Sequence, residues 1–268
     1  MIVFGKGLLA CRIKEEFVCR QIKEQPRSLD SACRLLKRYK PAVVINCADY
    51  SGKNADDCER DKDLALSDIV FSTIMLAEAC IRNKVKLVHV GSGCLFHFDY
   101  KKGRPIDESA QPNFFDLFYN RAMIYADSAV NVLAPQFDIL VLRIRLPIDS
   151  MPHERNLLTK LIKFRKAIKE PNSVTHMPDF IRAFKHLLRI KARGVYNVVN
   201  SGALYYPGVL EIYKKYKPSY TYKALSFKEL GITRTNLILS NKKLIKSGFK
   251  MPDINEVIEE CVEKYVKY

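Results

Sequence analysis

The sequence predicts an α/β protein with a doubly wound parallel sheet and a smaller, mostly helical C-terminal lobe. Two observations indicate this class. Short β-branched runs alternate with segments of helical apolar spacing through the first 150 residues, and a turn with two glycines directly follows the first run. With 268 residues and 48% hydrophobic content, the chain can form one large domain or a main domain with a smaller partner.

The predicted elements of this first part alternate in type. Apolar runs bounded by turn residues are typical of buried strands, and apolar positions at helical spacing are typical of helices packed on a sheet. The predicted strands are residues 1–5, 18–21, 41–49, 85–93 and 137–145, and the predicted helices are residues 7–16, 67–84 and a segment around Tyr119. This alternation favours a parallel sheet covered on both faces.

Beyond residue 150 the pattern changes. Residues 155–164 have helical spacing, residues 194–200 (GVYNVVN) resemble a strand, and two basic segments of helical character follow. We therefore divide the chain into a first domain, residues 1–150, and a second lobe, residues 151–268, which includes the strand-like run.

The formal net charge of +16 has two interpretations. It can attract a polyanion, either a nucleic acid or the diphosphates of a cofactor and a nucleotide sugar. It can also reflect a solvated, lysine-rich surface. We favour the surface interpretation because the basic residues are spread along the chain, and only residues 212–223 form a dense basic and aromatic patch. A nucleic acid is therefore the least favoured partner.

Other bulk features indicate a cytoplasmic protein. The N-terminal segment lacks the basic flank and long apolar run of a signal peptide, and no stretch reaches the roughly 18 apolar residues that would span a bilayer. The eight cysteines are scattered without a CxxC pair, which is typical of reduced thiols. We expect no disulfide framework, no metal site and no membrane partner.

Residues 5–10 (GKGLLA) follow the first predicted strand and open a helix, with the spacing G-x-G-x-x-A. In a dinucleotide-binding turn of the Rossmann type, Gly5 allows the tight turn, Gly7 lets the backbone approach a pyrophosphate, and a small residue at Ala10 lets the helix pack closely. The helix N-terminus then faces the anion. We assign these three residues and Lys6 to a cofactor site; an ordinary strand-to-helix turn is the alternative.

The cofactor preference depends on the end of the second strand. An Asp or Glu usually binds the adenosine ribose there, but residues 17–21 (FVCRQ) offer Arg20 and no acid. Because an arginine can bind a 2′-phosphate, we predict NADP(H) in preference to NAD(H). Arg20 can equally be a solvated residue at the strand end. Ala48, which belongs to the third predicted strand, is assigned to the same cofactor site.

Ser92 lies at the carboxyl end of a predicted strand, where open α/β sheets bind ligands. A serine hydroxyl there can hydrogen-bond a substrate carbonyl, and Tyr119 can supply a proton to the same oxygen. Serine also suits turns for purely local reasons. The pairing of Ser92 with Tyr119 makes the catalytic interpretation preferable.

Stretches along nearly the whole chain resemble the extended short-chain dehydrogenases that reduce nucleotide-linked 4-keto-6-deoxy sugars. The resemblance is to the dTDP-4-dehydrorhamnose reductases and the fused 3,5-epimerase/4-reductases of rhamnose synthesis. The resembling stretches, in family order, are GKGLLA, VVINCAD, GSGCLFHFD, DESAQPNFFDLFYNRAM, LRIRLPI, ERNLLTKLIKF, EPNSVTHMPD, GVYNVVNSGALYYPGVLEIYKKY and RTNLILSNKKL. The resemblance implies an NAD(P)-binding Rossmann domain interleaved with a nucleotide-sugar-binding lobe.

The resemblance also implies roles for individual residues. Ser92 and Tyr119 would polarise and protonate the sugar ketone, and Cys94 and Lys160 resemble an acid/base pair for epimerisation. The alternatives are a buried small apolar residue for Cys94 and a solvated helix residue for Lys160. Residues on the nucleotide-sugar side would be Asn156, Asn172 and Arg234.

Met123 departs from the family pattern. Four residues after the tyrosine, the family carries a lysine that holds the nicotinamide ribose and lowers the pKa of the tyrosine. Methionine supplies neither hydrogen bond nor charge, so reduction could lose on the order of 10²- to 10⁴-fold in rate. Arg121 cannot replace this lysine in a helix, because positions two apart do not face each other.

Three functions therefore stay open. The first is NAD(P)-dependent reduction or reduction with epimerisation of a nucleotide-linked 4-keto-6-deoxy sugar. The second is an epimerase without reductase activity. The third is a catalytically impaired regulatory subunit that binds the cofactor or the nucleotide sugar, which Met123 supports. The fold does not decide among them, and a homodimer is also left open.

Overall fold

The computed structural model describes residues 1–47, 56–231 and 233–268. From the N-terminus to the fifth strand its elements are β1 (Ile2–Phe4), α1 (Leu8–Glu16), β2 (Arg20–Ile22), α2 (Leu29–Tyr39), β3 (Val43–Asn46), α3 (Asp57–Arg60), α4 (Lys62–Ala65), a π-helical segment (Leu66–Phe71), α5 (Ser72–Arg82), β4 (Lys86–Ser92), α6 (Phe118–Leu133) and β5 (Ile139–Ile144). The later elements are β6 (Pro147–Ile148), α7 (Leu157–Phe164), β7 (Lys166–Ile168), β8 (Thr175–His176), α8 (Met177–Arg189), β9 (Gly194–Asn197), α9 (Tyr206–Tyr216), β10 (Lys223–Leu225), α10 (Phe227–Leu230), α11 (Lys242–Lys246) and α12 (Ile254–Tyr265).

A six-stranded sheet has the strand order β2-β1-β3-β4-β5-β9. Strand β1 pairs in parallel with both β2 and β3, and β3 pairs in parallel with β4. The strands and the helices beside them bury a common apolar core that includes Phe4, Val44, Leu76, Leu87 and Val141. The predicted α/β class, a parallel central sheet with flanking helices, is confirmed.

The chain forms two compact units that are interleaved along the sequence. The first unit consists of Met1–Leu95, Pro112–Arg143 and Leu187–Tyr196. The second unit consists of Phe96–Gln111, Ile144–His186 and Asn197–Tyr268. The sequence pattern predicts one boundary, at residue 150. Only the family resemblance implies that the two parts are interleaved. The assignment of the cofactor to one unit and the nucleotide sugar to the other stays a prediction.

Strand β9 corrects one expectation. Its residues, Gly194–Asn197, are predicted as part of the C-terminal lobe, but they form the edge strand of the six-stranded sheet, next to β5. The physical reason is topological, because a strand pairs with its neighbour in space and not with the helices that surround it in sequence. Hydrophobic pattern identifies such a strand without showing which sheet it joins.

The second unit contains two small parallel sheets, one formed by β7 and β10 and the other by β6 and β8. Helices α7, α9 and α12 contribute to its core, in which Leu158, Leu210 and Val262 are fully buried. Its helical character agrees with the sequence pattern. The small sheets were not predicted, because strands of two or three residues are too short to show a period of two.

Helices α4 and α5 and the π-helical segment between them form one continuous stretch, Lys62–Arg82. By length and composition it could cross a membrane, since its most apolar window has a mean hydropathy of 1.8. However, 56% of that window is buried inside the protein, and Leu76, Ala77 and Cys80 belong to the core of the first unit. We therefore interpret this stretch as a core helix.

Candidate active site

The turn after β1 requires glycine at its first position. Gly5 has a φ of +126°, and a Cβ atom there would lie 2.9 Å from the carbonyl oxygen of Cys47. The two chain segments cannot separate easily, because the Cys47 N–H donates to the Phe4 carbonyl at 2.9 Å. Gly5 therefore allows β1 and β3 to approach where the strand order reverses, which is where open α/β sheets bind ligands.

Helix α1 begins directly after this turn. Gly7 is its N-cap and offers no side-chain acceptor to the first-turn amides, and that turn contains no acidic residue. Ala10 is fully buried and would lie 3.4 Å from a Cβ at Gly5, so a larger side chain would push the helix away. Lys6 is exposed. These features fit the pyrophosphate of a dinucleotide, which first-turn amides and the helix dipole would hold. Ala48 lies outside the described residues.

The structure corrects the position of Arg20. Strand β2 begins at this residue, which pairs with Ile2, so Arg20 lies at the amino end of the sheet. Its guanidinium packs over the Tyr39 ring at 4.6 Å. The strand pattern predicts an end at residue 21, whereas β2 ends at Ile22 and is followed by the exposed Lys23. A residue that binds the adenosine ribose lies at the carboxyl end, where Lys23 is and Arg20 is not.

Ser92 is the last residue of β4 and is half-buried. Its Oγ accepts a hydrogen bond from the Cys94 N–H at 3.0 Å. A serine hydroxyl has one donor and two acceptor positions, so this bond orients the oxygen and leaves the proton for a ligand. Cys94 is also half-buried. It lies two residues after Ser92, in the turn at the carboxyl edge of the sheet.

Tyr119 is the second residue of α6 and is half-buried. The preceding residue, Phe118, donates its N–H to Glu59 Oε1 at 2.5 Å. The following residue, Asn120, donates its side-chain amide to the Cys94 carbonyl. The structure thus brings the first turn of α6 to the turn that carries Ser92. Neither Glu59 nor Asn120 is predicted from the sequence, because nothing in a single chain shows which distant group an amide or carboxylate will contact.

Met123 lies one helical turn after Tyr119 and is 8% exposed. A buried apolar side chain therefore occupies the position at which the family resemblance implies a lysine. Arg121, two residues from Tyr119, is exposed and donates its Nε–H to the Phe115 carbonyl at 2.6 Å. This placement agrees with the expectation that Arg121 does not replace the lysine.

Buried polar groups also lie on α6 and β4, the elements that carry Tyr119 and Ser92. On α6, Asp127 forms a bidentate ion pair with Arg143 of β5, with N–O distances of 2.9 and 2.6 Å. On β4, His89 is 3% exposed and lies 3.3 Å from the Asn46 amide nitrogen. Burial lowers the pKa of His89 to about 4, against the opposing attraction of Asp127. His89 is therefore a neutral core residue.

The side chain of Asn156, in the second unit, forms all of its hydrogen bonds within its own loop. As the N-cap of α7, its Oδ1 accepts from the Leu158 N–H at 3.0 Å and the Asp149 N–H at 3.2 Å. Its Nδ2 donates to the carbonyls of Asp149 and Met151 at 2.7 and 2.8 Å. An asparagine side chain offers two donors and two acceptor positions, so none is left for a nucleotide sugar. The predicted substrate contact through this side chain is not supported.

The other predicted residues of the second unit differ in exposure. Asn172 is 2% exposed, its Oδ1 accepts from the Leu237 N–H at 3.2 Å, and its backbone pairs with Leu204. Lys160 is exposed on α7. Arg234 is half-buried, and its Nη1 donates to the Thr233 carbonyl at 2.7 Å. The predicted roles of Lys160, Arg234 and Asn172 stay predictions. The hydrogen bonds of Asn172 also join three chain segments.

Within the described ranges, no group of three or more His, Cys, Asp or Glu side chains could hold a metal ion. The glycine turn and the N-terminus of α1 have the arrangement with which open α/β folds bind a dinucleotide, and the end of β4 and the start of α6 meet at the carboxyl edge of the same sheet. The chain belongs to the RmlD substrate binding domain family, which matches residues 8–182.

Comparison with known proteins places relatives in nucleotide-sugar metabolism. The chain is 30% identical over 239 residues to a trifunctional UDP-glucose 4,6-dehydratase/UDP-4-keto-6-deoxy-D-glucose 3,5-epimerase/UDP-4-keto-L-rhamnose-reductase of Arabidopsis thaliana. This match covers 85% of the chain and 35% of that relative, so the chain spans about a third of its length.

Two solved structures have the same fold over almost the whole chain. The UDP-rhamnose synthase of Acanthamoeba polyphaga mimivirus superposes with a TM-score of 0.88 at 24% identity, covering 98% of both chains. The dTDP-4-dehydrorhamnose reductase of Bacillus anthracis, solved in complex with NADP, superposes with a TM-score of 0.83 at 19% identity, covering 99% of this chain and 98% of that one.

Proposed function

We propose that the protein reduces a nucleotide-linked 4-keto-6-deoxy sugar of the rhamnose type with NADPH in the cytoplasm, and that it also epimerises this sugar. The observation that carries the proposal is the corner formed by the end of β4 and the start of α6. There the Ser92 hydroxyl is oriented by the Cys94 N–H, and the residue after Tyr119 is bonded to the Cys94 carbonyl. Relatives that are named for these reactions support the substrate class.

The chemistry of this corner is proton donation to a ketone oxygen. When bound, a reduced nicotinamide would supply the hydride that adds to the carbonyl carbon. Ser92 would donate a hydrogen bond to the carbonyl oxygen, and Tyr119 would transfer its hydroxyl proton to that oxygen as the new C–H bond forms. For epimerisation, Cys94 and Lys160 would act as the acid/base pair, and Ser92 and Tyr119 would stabilise the enolate oxygen.

The preference for NADPH rests on the carboxyl end of β2. Lys23 follows this strand, is exposed and can approach a 2′-phosphate. We therefore assign this contact to Lys23 in place of Arg20. The complex of the Bacillus anthracis relative with NADP supports a pyridine nucleotide cofactor in this fold.

Met123 favours a second candidate function. Without a cation one turn after Tyr119, the tyrosine loses the charge that favours its ionised form and the ribose loses a hydrogen bond. A regulatory subunit that binds the cofactor or the nucleotide sugar but transfers no hydride would tolerate this replacement. An epimerase without reductase activity would also tolerate it.

One incubation separates these functions. The purified protein is mixed with a 4-keto-6-deoxy nucleotide sugar and NADPH in deuterated buffer, and both nicotinamide absorbance and deuterium incorporation into the sugar are followed. Oxidation of NADPH coupled to sugar reduction is expected. Deuterium uptake without oxidation would identify an epimerase, and NADPH binding with neither reaction would identify a binding subunit.

The variants Met123→Lys and Met123→Leu sharpen this test. The lysine variant restores the family pattern and is expected to increase turnover about 10-fold or more, because a positioned cation favours proton transfer from Tyr119. The leucine variant is the matched control, because it keeps a buried apolar side chain of similar volume. Equal turnover in both variants would show that this position does not limit proton transfer.

A further inference from the structure

The turn that follows β4, residues 92–95, is held from two sides. Inside the turn, the Cys94 N–H donates to Ser92 Oγ at 3.0 Å. From outside, the N–H groups of Asn113 and Phe114 both donate to the Leu95 carbonyl at 3.0 Å. These bonds join the turn to the segment that leads into α6, so the turn and this segment form one hydrogen-bonded platform.

Asn120 adds a side-chain bond to this platform. It lies on the first turn of α6 and is 3% exposed, and its Nδ2 donates to the Cys94 carbonyl. Asn120 directly follows Tyr119, and Cys94 is the residue whose N–H orients Ser92. The buried Asn120 amide therefore connects the helix that carries Tyr119 to Cys94, whose N–H orients the Ser92 hydroxyl.

This geometry matters more here because of Met123. A cation at that position would help proton transfer through its charge, but the buried methionine has none. What the protein can still control is the relative position of the two hydroxyl groups. Displacement of a reacting group by about 1 Å can lower a rate about 10²-fold.

We propose that Asn120 is a positioning residue that sets the placement of Ser92 relative to Tyr119 by holding the Cys94 carbonyl. This inference rests on the proposed reductase function. Asn120 does not touch the reacting atoms, since its amide is directed to a backbone carbonyl. Its effect is therefore expected on the rate of the chemical step and not on the binding of the cofactor.

The first test compares Asn120→Ala with Asn131→Ala. Asn131 lies on the same helix, about three turns away, and its Nδ2 donates to Asp127 Oδ2 at 2.7 Å. The Asn120 variant is expected to lower kcat about 10- to 100-fold with KM for NADPH changed less than about twofold. The Asn131 variant is expected to keep kcat within about twofold. Equal kcat values in the two variants would overturn the proposal.

A second variant, Asn120→Asp, keeps the shape and tests the donor. An ionised carboxylate would repel the Cys94 carbonyl, whereas a protonated carboxyl can donate an O–H bond to it. Burial raises the pKa of a carboxyl, so the protonated form is gained as pH falls. The ratio of kcat in this variant to kcat in the wild type is therefore expected to rise on acidification. A ratio that is low and independent of pH would contradict the proposed bond.

Alkylation of Cys94 gives a readout that does not need turnover. The native protein and both alanine variants are treated with iodoacetamide, and modification of the peptide that contains Cys94 is timed by mass spectrometry. Faster alkylation in Asn120→Ala only would support the proposal that the Asn120 amide holds the turn through the Cys94 carbonyl. If the wild type itself shows no turnover, the proposed function fails, and this rate alone decides whether Asn120 holds the turn; an unchanged rate would overturn the inference.

Discussion

Polar residues in the two units are used in different ways. In the first unit, Ser92 uses one acceptor position for the Cys94 N–H, and its hydroxyl proton stays available for a ligand. In the second unit, both donors and both acceptor positions of the Asn156 side chain form hydrogen bonds within its own loop. Both residues match positions that the family resemblance assigns to the site, yet only Ser92 retains bonding capacity for a ligand.

This difference shows how a family motif is to be transferred to a new chain. A motif residue can act on a ligand directly, or it can shape the loop that does so. Hydrogen-bond accounting separates the two cases, because a buried polar side chain whose positions are all satisfied cannot bind anything further without breaking a bond. Four substitutions with successively smaller expected effects test this distinction.

The largest effect is expected from Tyr119→Phe. Removing the proton donor should lower kcat/KM for reduction about 10²- to 10⁴-fold, while NADPH affinity and thermal stability stay unchanged. Steady-state kinetics and NADPH titration measure both. The control is Tyr125→Phe on the same helix, where the side chain is 55% exposed. A fall in rate of similar size in both variants would remove Tyr119 from the mechanism.

Asn156→Ala is expected to change stability and not chemistry. The variant loses the N-cap of α7 and four hydrogen bonds to backbone groups of Asp149, Met151 and Leu158, which should lower the free energy of unfolding by about 3 to 5 kcal/mol. Denaturant unfolding measures this loss, with exposed Asn255→Ala as the control in the same unit. A stable variant with a raised KM for the sugar would restore Asn156 to substrate binding.

His89 tests whether a polar residue of the first unit can also be purely structural. Its pKa is about 4 in the folded protein, lowered by burial from an ordinary value of 6.5. As pH falls, His89 takes up a proton in the unfolded chain before it does so in the folded protein. The free energy of unfolding is therefore highest above pH 6.5 and decreases as pH falls toward 4. This loss amounts to about 3 kcal/mol.

The His89→Gln variant should lose this part of the pH dependence. Unfolding free energies measured by denaturant between pH 7 and pH 4 would show it as a flatter profile. His97→Gln, which removes an exposed imidazole, is the control. A slope for His89→Gln that equals that of the wild type would show that other groups control acid stability.

The smallest effect is expected at the two ends of β2. Lys23→Ala should raise KM for NADPH about 10-fold, the equivalent of about 1.4 kcal/mol, because one charged contact to the 2′-phosphate is lost. KM for NADH should not change, since NADH has no such phosphate. Arg20→Ala at the amino end should leave both values within about twofold. The reverse ranking would return the contact to Arg20.

Much of the first unit could be predicted from the chain itself. The alternation of strands and helices and the glycine turn are visible as local patterns, whereas the pairing of Ser92 with Tyr119 stays a prediction. The difference between the predicted and the observed position of Arg20 shows the limit of such patterns. A strand that begins two residues later than its apolar run moves a side chain from one edge of the sheet to the other, and only the pairing of Arg20 with Ile2 reveals this.

The sequence by itself determined the α/β class, the need for glycine at Gly5 and the absence of a lysine at Met123. These features depend on residue type and on neighbours within a few positions, which a linear pattern records. Only the tertiary structure decided that β9 joins the large sheet, that Asn156 is satisfied by its own loop and that Asn120 bonds to Cys94. The first and the third depend on which groups distant in sequence meet, and the second depends on how the loop before α7 folds. Hydrogen bonds are made to neighbours in space, which a linear pattern does not record.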